Sequence, residues 1–111
     1  MLEQQLQAVA DPTRREILKL AADEPLTSGE IAARFKMTRP AVSQHLKVLR
    51  EAGLMRVRAE GTKRLYTTNR GVLLGLFEQL DDYWSLGLLR LKGAAERRAR
   101  ELRAKRGREG T

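Results

Sequence analysis

The chain has 111 residues, of which 22 are Lys or Arg and 14 are Asp or Glu, and its formal net charge at pH 7 is +8. This length fits one small domain and excludes a large enzyme. The absence of cysteine excludes disulfides, thiolate zinc sites and cysteine nucleophiles, and the single histidine, His45, cannot supply a histidine-rich metal site. We therefore expect neither a metal nor another cofactor.

A chain this short buries a limited fraction of its surface, so we expect stability to be gained from dimerisation. The apolar runs span only a few residues, which predicts no membrane-spanning segment. The opening residues, MLEQQLQAV, are acidic and amphipathic, whereas a signal peptide is basic and then apolar. These features predict a soluble, cytoplasmic protein.

The positive charge is concentrated in two segments. Residues 34–70 hold ten basic and two acidic side chains, and residues 90–111 hold nine and three. Residues 1–33 and 71–89 each carry a net charge of −3. Concentrated cations favour a polyanionic partner such as nucleic acid, because neutralised phosphates release condensed counterions. A basic surface kept only for solubility would show no such segregation.

Two helices are predicted at the start of the chain. The first is indicated by apolar residues at helical spacing, namely Leu2, Leu6 and Val9. Asp11 followed by Pro12 begins the second, because aspartate caps free N–H groups and proline fits the first helical position. This helix runs to about Ala22, and its candidate core residues are Ile17, Leu18 and Ala21.

A second pair of short helices follows. Thr27 and Glu30 form a capping box that begins a helix running to about Phe35. Thr38 can cap the next helix, and Gly53 stands where a left-handed residue would end it. Two short helices joined by three or four residues have the layout of a helix-turn-helix.

The helix after Thr38 has two distinct faces. Its inward residues are predicted to be Val42, Leu46, Leu49 and Ala52. Its polar residues are Arg39, Ser43, Gln44, Lys47 and Arg50. Arg and Lys bind phosphates or guanine, and Gln can bond adenine, so this mixture favours contact with a DNA groove over an ordinary solvated face.

Residues 54–68 are predicted to form a β-hairpin. Its first half alternates apolar with charged residues, and Gly61 with Thr62 supplies the turn. Its basic side chains are Arg56, Arg58, Lys63 and Arg64. A basic hairpin after a helix-turn-helix predicts a winged helix whose tip contacts backbone phosphates. The alternative is that these cations only protect an edge strand from aggregation.

Asn69 can cap a last helix whose apolar stripe exceeds what one small core can use. We expect this helix and the first one to form a dimer interface rather than a small-molecule pocket. The predicted interface residues are Leu2, Leu6, Leu73, Leu76, Leu80, Tyr83, Trp84, Leu88 and Leu91. Residues 1–95 would then form the DNA-binding and dimerisation domain, and residues 96–111 a basic tail that frays.

Four segments in order, DPTRREILKL, PLTSGEIAARF, RPAVSQHLKVLREAGLMRVR and EGTKRLYTTN, closely resemble the arsenical-resistance-repressor (ArsR) family of bacterial winged-helix transcriptional regulators. The resemblance covers about residues 5–91. It implies a mainly α fold with a small β-hairpin and a homodimeric, cytoplasmic, sequence-specific DNA-binding protein, usually a repressor that is often autoregulatory. It also implies that the recognition helix is residues 39–52, that Ser43, Gln44 and His45 lie in its base-reading part, and that residues 56–67 form the wing.

The sequence departs from the metal-sensing branch of this family. The helix begun at Thr27 lacks the cysteine pair of thiolate sensors, and the last helix lacks the His and acid pattern of zinc sensors. Asp81 and Asp82 are adjacent, so on a helix they point about 100° apart and cannot hold a metal alone. The sequence therefore looks more like the metal-independent branch.

The predicted DNA-contacting residues are Thr38, Arg39, Ser43, Gln44, His45, Lys47, Arg50, Arg58, Lys63 and Arg64. For His45, which lies between the polar and apolar faces, a phosphate contact and a packed structural role are equally compatible with the pattern. The leading hypothesis is a homodimeric repressor of a pseudo-palindromic operator in double-stranded DNA. The alternative is a protein-interaction adaptor with only nonspecific affinity for nucleic acid. An enzyme is not expected, because no motif pairs a nucleophile with a base and His45 has no marked acid partner in the sequence.

Overall fold

The computed structural model describes the backbone of residues 2–109 and the side chains of residues 2–85 and 93–107. The chain divides into two compact units, Met1–Leu76 and Phe77–Thr111. The elements in chain order are α1 (Leu2–Ala10), α2 (Pro12–Asp23), α3 (Ser28–Phe35), α4 (Arg39–Glu51), β1 (Met55–Glu60), β2 (Lys63–Thr68) and α5 (Arg70–Glu109).

The helices begin where the sequence places capping residues. The Asp11 carboxylate accepts a hydrogen bond from the backbone N–H of Arg14 at 2.9 Å. Thr27 and Glu30 form the predicted capping box at the start of α3. The Asn69 side chain accepts from the backbone N–H of Val72 at 3.4 Å, at the start of α5. Each cap satisfies an N–H group that has no partner inside its helix.

Two left-handed residues end the helices of the helix-turn-helix. Lys36 has φ 52° and directs its backbone N–H to the carbonyl of Ala32, which ends α3. Gly53 has φ 75° and follows α4, as the sequence predicts. Lys36 is the only non-glycine residue with positive φ along the described backbone. These two turns fix the directions in which the chain enters and leaves α4.

The core of the first unit lies among α1 to α4 and the base of the hairpin. Every predicted inward residue of α2 and α4 is at most 3% exposed. In α1, by contrast, Ala8 is the residue that is fully buried, and Leu6 is 36% exposed. The larger apolar side chains of α1 are therefore only partly buried within one chain. The fully or nearly fully buried side chains include Ile17, Leu26, Ile31, Val42, Leu46, Leu49, Leu54 and Leu76.

The hairpin is antiparallel and runs in register from the pair Met55–Thr68 at its base to the pair Glu60–Lys63 at its tip. Its base is attached to the helical core at two points. Leu26 and Tyr66 exchange backbone hydrogen bonds of 3.1 and 2.8 Å. The buried hydroxyl of Thr68 donates to the Leu18 carbonyl at 2.7 Å. This arrangement of helices and wing confirms the predicted winged helix-turn-helix.

The last helix extends through the predicted basic tail. The predicted boundary between residues 95 and 96 lies inside α5 and inside the second unit, because the helical backbone continues to Glu109. Ala, Leu, Arg, Lys and Glu, which dominate this segment, are all strong helix formers. The division of the chain into residues 1–95 and 96–111 remains a prediction.

Candidate nucleic-acid interface

Helix α4 presents its polar face because its apolar face is fixed in the core. The Thr38 hydroxyl accepts from the backbone N–H of Ala41 at 3.3 Å and starts the helix. Val42, Leu46 and Leu49 are at most 2% exposed, which sets the rotation of the helix about its own axis. The side chains that this rotation turns outward include Thr38, Arg39, Ser43, Gln44, Lys47 and Arg50, all of which are exposed.

Arg39 lies over the first turn of α3. Its guanidinium donates a hydrogen bond of 3.4 Å to the Ser28 hydroxyl. A Cβ atom on Gly29 would stand 2.8 Å from the Arg39 Nη1, so the small residue leaves room for this side chain. The contact holds Arg39 across the helix-turn-helix while leaving it exposed to a ligand.

His45 is half-buried and faces the start of α2. Its Nδ1 atom lies 3.5 Å from the Nη1 of Arg14 and 4.0 Å from the Oδ2 of Asp11. The ring therefore has an acidic neighbour that the sequence did not reveal, because 34 residues separate the two along the chain. This placement favours the packed structural role for His45 over a phosphate contact.

Asp11 is held as an anion by its surroundings. The backbone N–H of Arg14 is the main cause of a lowered pKa for the Asp11 carboxyl, and the charges of Arg14 and His45 lower that pKa further. Desolvation opposes this shift. Hydrogen bonds and nearby positive charge stabilise the ionised form of a carboxylate. The anion therefore remains available to His45 and Arg14 at a pH below that at which an ordinary aspartate is protonated.

Arg14 connects α1 to Asp11 and His45. Its Nε donates to the Ala8 carbonyl at 2.7 Å, and its Nη2 donates to the Gln7 carbonyl at 2.9 Å. These carbonyls belong to the last turn of α1, which has no partners for them inside the helix. Arg14 therefore joins α1, the start of α2 and the middle of α4.

The tip of the hairpin is basic and exposed. Lys63 and Arg64 are both exposed beside the two-residue turn, in which Gly61 has φ 62°. Arg58 is also exposed, but its guanidinium lies 3.5 Å from the Glu60 carboxylate. An exposed ion pair of this kind contributes little and is easily exchanged for another anion. All three predicted wing cations are therefore accessible.

An open groove between α4 and β1 adds a cation that the sequence-based set leaves out. It is lined by Lys47, Arg50, Glu51, Met55, Arg56 and Val57. Arg56 projects from β1 beside two predicted DNA-contacting residues of α4. The strand alternation places Arg56 on the outer face, but only the fold shows that this face continues the polar face of α4.

The predicted interface residues have different environments. Leu76 is 1% exposed and belongs to the core of a single chain, so it is not available to a second copy. Leu2, Leu73 and Leu80 are partly exposed, whereas Tyr83 and Trp84 are 64% and 60% exposed. Two further apolar residues that the sequence-based set omitted, Leu74 and Phe77, are 61% and 54% exposed. The side chains of Leu88 and Leu91 lie outside the described residues.

Two kinds of feature are absent from the part of the chain that the structure describes. No group of three or more His, Cys, Asp or Glu side chains in this part of the chain could hold a metal ion. No helix among the same residues is long and apolar enough to cross a membrane.

Comparison with known proteins identifies the family. Residues 11–57 match the family model described as "Bacterial regulatory protein, arsR family". The HTH-type transcriptional regulator Rv2034 of Mycobacterium tuberculosis is 46% identical over 82 residues, which cover 74% of this chain and 77% of the relative. The chain belongs to the ArsR family.

Other relatives extend the comparison. The transcriptional repressor SdpR of Bacillus subtilis is 38% identical over 66 residues, covering 60% of this chain and 73% of the relative. A solution structure of the homodimeric winged helix-turn-helix DNA-binding domain of Mb0332 from Mycobacterium bovis, a possible ArsR-family regulator, matches with a TM-score of 0.62 at 27% identity. That match covers 78% of this chain and 80% of the other. This ArsR-family chain is a transcriptional regulator with a winged helix-turn-helix fold.

Proposed function

We propose that this chain is a homodimeric, cytoplasmic repressor that binds a pseudo-palindromic operator in double-stranded DNA and catalyses no reaction. The observation that carries the proposal is the exposure of Ser43, Gln44 and Lys47 on a helix whose opposite face is buried. Such a helix can enter a major groove without rearrangement of the core. The repressor SdpR and the homodimeric Mb0332 domain among its relatives support the direction of regulation and the assembly.

Each group of side chains has a distinct role in this proposal. Ser43 and Gln44 contact base edges, where glutamine can bond adenine through two hydrogen bonds. Lys63 and Arg64 contact backbone phosphates, which carry no sequence information but hold the protein in register. The cations of the α4–β1 groove, Lys47, Arg50 and Arg56, contact the phosphates between these two regions.

A second copy of the chain is the proposed cover for the exposed apolar residues. Leu6 and Leu74 in the first unit and Phe77, Tyr83 and Trp84 in the second expose apolar surface that water does not favour. A two-fold symmetric dimer pairs the same patches of both copies and presents two recognition helices to half-sites about one helical turn apart or a multiple of it. Trp84→Glu is expected to give a monomer in sedimentation equilibrium. It is also expected to abolish the protection of both half-sites from cleavage in a footprinting experiment.

Regulation through a bound metal is not part of the proposed mechanism, because the metal-sensing motifs of the family are absent from the sequence. We propose instead that the chain belongs to the metal-independent branch. The test is to select bound fragments from a pool of random duplexes and to repeat the selection with added metals and with a chelator. Enrichment that changes with metal would contradict this assignment.

Substitution of Gln44 tests the base-reading role. Gln44→Ala is expected to weaken binding to the selected duplex by about 1–3 kcal/mol and to relax the preference at one base position in each half-site. Lys63→Ala is expected to weaken binding to all duplexes alike. It is also expected to lower the salt slope, which is the steepness with which the logarithm of the binding constant falls with the logarithm of the salt concentration, by about 0.9 per protomer. Lys19→Ala, which removes the same charge from an exposed position on α2, is the control.

Footprinting and titration decide between this proposal and the adaptor alternative. Equal loss of affinity for selected and random duplexes in Gln44→Ala would contradict the role of Gln44. Weak binding by the unsubstituted chain that does not change with salt would favour an adaptor, because phosphate contacts always make affinity fall with salt.

A further inference from the structure

The C-terminal part of α5 is a strongly cationic helix that the winged helix-turn-helix does not use. Residues 94–107, here called the basic segment, contain six Arg or Lys and two Glu, and the side chains of all fourteen residues are exposed. At 1.5 Å per residue the segment is about 21 Å long. Its excess positive charge is thus concentrated along a short rod.

The basic segment has no face suited to a core or a lipid surface. Leu102 is its one large apolar side chain, and it is 45% exposed. A helix that lies on a membrane needs a continuous apolar face containing residues such as Trp, Phe and Leu. The chemistry of this helix therefore favours a partner held by charge, namely a polyanion.

The cations of the basic segment are unequally placed around the helix. Arg97, Arg100, Arg103 and Arg106 recur at every third residue, so each is turned about 60° around the helix from the one before. This set, here called the arginine row, covers one half of the helix circumference over about 14 Å, with Arg100 and Arg103 at its middle. Glu96 lies on the same half, one turn before Arg100, whereas Glu101 lies on the other half, 3.6 Å from Arg98. No carboxylate among the described side chains lies within ion-pair distance of the four arginines of the row. Like charges three residues apart destabilise a helix by a few tenths of a kcal/mol per pair, so a bound polyanion would relieve this repulsion.

We infer that this arginine row binds the backbone phosphates of duplex DNA outside the operator half-sites. The inference rests on the proposed function, because α4 of the same chain brings the duplex to the segment at high effective concentration. B-DNA carries one negative charge for about every 1.7 Å of its axis, so a duplex lying against this half of the helix offers phosphates to Arg100 and Arg103, which face it together. Such contacts add affinity without sequence preference and require DNA longer than the operator itself.

Two double variants with equal loss of charge test the row in the full-length protein. Arg100→Gln with Arg103→Gln removes two arginines of the row, and Arg98→Gln with Lys105→Gln removes two cations from the other side. Glutamine keeps a strong helix propensity, and circular dichroism checks that the helix content is unchanged. Each variant is titrated with the operator duplex recovered by selection, both trimmed to its footprint and extended by random flanks, over a range of salt concentrations.

The row variant is expected to lower the salt slope on the extended duplex by about 1.8 per protomer, since each lost phosphate contact removes about 0.9. The other-side variant is expected to change it by less than half as much, and neither is expected to alter binding to the trimmed duplex. Equal effects of the two variants, or an unchanged slope on the extended duplex, would overturn the inference. Tighter binding of the unsubstituted chain to anionic lipid vesicles or single-stranded RNA than to random duplex would also overturn it.

Failure of this inference is distinguishable from failure of the proposed function. If the unsubstituted chain selects an operator and Gln44→Ala loses specificity while the row variant binds normally, only the role of the basic segment is wrong. If no operator is selected, the proposed function is wrong whatever the row variant does.

Discussion

Replacing Arg14 tests whether one side chain joins the first helix to the recognition helix. Arg14→Met keeps an unbranched apolar stem but removes the guanidinium that bonds the Ala8 and Gln7 carbonyls at 2.7 and 2.9 Å. The bond to Ala8 is partly buried, and a charged donor there contributes about 1.5–3 kcal/mol. The bond to Gln7 is exposed and adds little, and a cation at a helix C-terminus adds about 0.3–1 kcal/mol. We expect the free energy of unfolding to fall by about 2–3 kcal/mol.

Arg15 provides a matched control for Arg14. Its Nη1 donates to the Val9 and Ala10 carbonyls at 2.7 and 3.0 Å, so it also makes two bonds to the end of α1, but both are exposed. Arg15→Met is therefore expected to cost about 0.5 kcal/mol. The assay is urea unfolding followed by circular dichroism at one fixed protomer concentration, because dimerisation makes stability depend on concentration. An equal decrease in the free energy of unfolding in the two variants would show that partial burial does not strengthen the bond from Arg14 to Ala8.

Two further predictions concern backbone conformation and pH. Gly53→Ala is expected to destabilise the chain by about 1–2 kcal/mol, because φ at Gly53 is 75° and a side chain is strained in this left-handed region. Gly75→Ala in α5 is expected to stabilise the chain by about 0.5–1 kcal/mol, because a Cβ there meets nothing within 4 Å and alanine favours the helix. Thermal unfolding measures both, and shifts of the same sign would contradict the argument. The lowered pKa of Asp11 means that its ionised form stabilises the fold above the pKa of the unfolded chain, and that this contribution is lost as pH falls through the folded-state pKa. Asp11→Asn keeps a capping side chain but removes the charge, so it is expected to lower the free energy of unfolding near pH 7 and to make that free energy fall less steeply as the solution is acidified. An unchanged loss of stability in acid would assign the pH dependence to other carboxylates.

The features that the sequence predicts correctly are those set by neighbours along the chain. The caps at Asp11, Thr27, Thr38 and Asn69 each involve partners three residues away, and the left-handed turn at Gly53 depends on one residue type. The buried stripe of α4 follows from the helical period alone. For these features local sequence and tertiary structure require the same residues, so they were predictable.

The features that were missed depend on residues far apart in the chain. The cluster of Asp11, Arg14 and His45 exists because α2 packs against α4, and no spacing rule connects those positions. Arg56 joins the groove of Lys47 and Arg50 for the same reason. A stripe of leucines shows that a helix face is buried, but it does not show whether the same chain or a second copy buries it. This is why Leu76, a core residue of one chain, was placed among the interface residues.

The attachment of the hairpin at its base has a consequence for how such chains diversify. Leu26 and Tyr66 use both backbone groups of each residue, so proline at either position would remove a donor, and an insertion or deletion there would displace the helices on both sides. The turn at Gly61 and Thr62 lies at the opposite end, where additional residues would disturb no partner outside the hairpin among the described residues. Natural length variation in the wing should therefore accumulate at the turn, so that the length of the wing can change while α4 keeps its position.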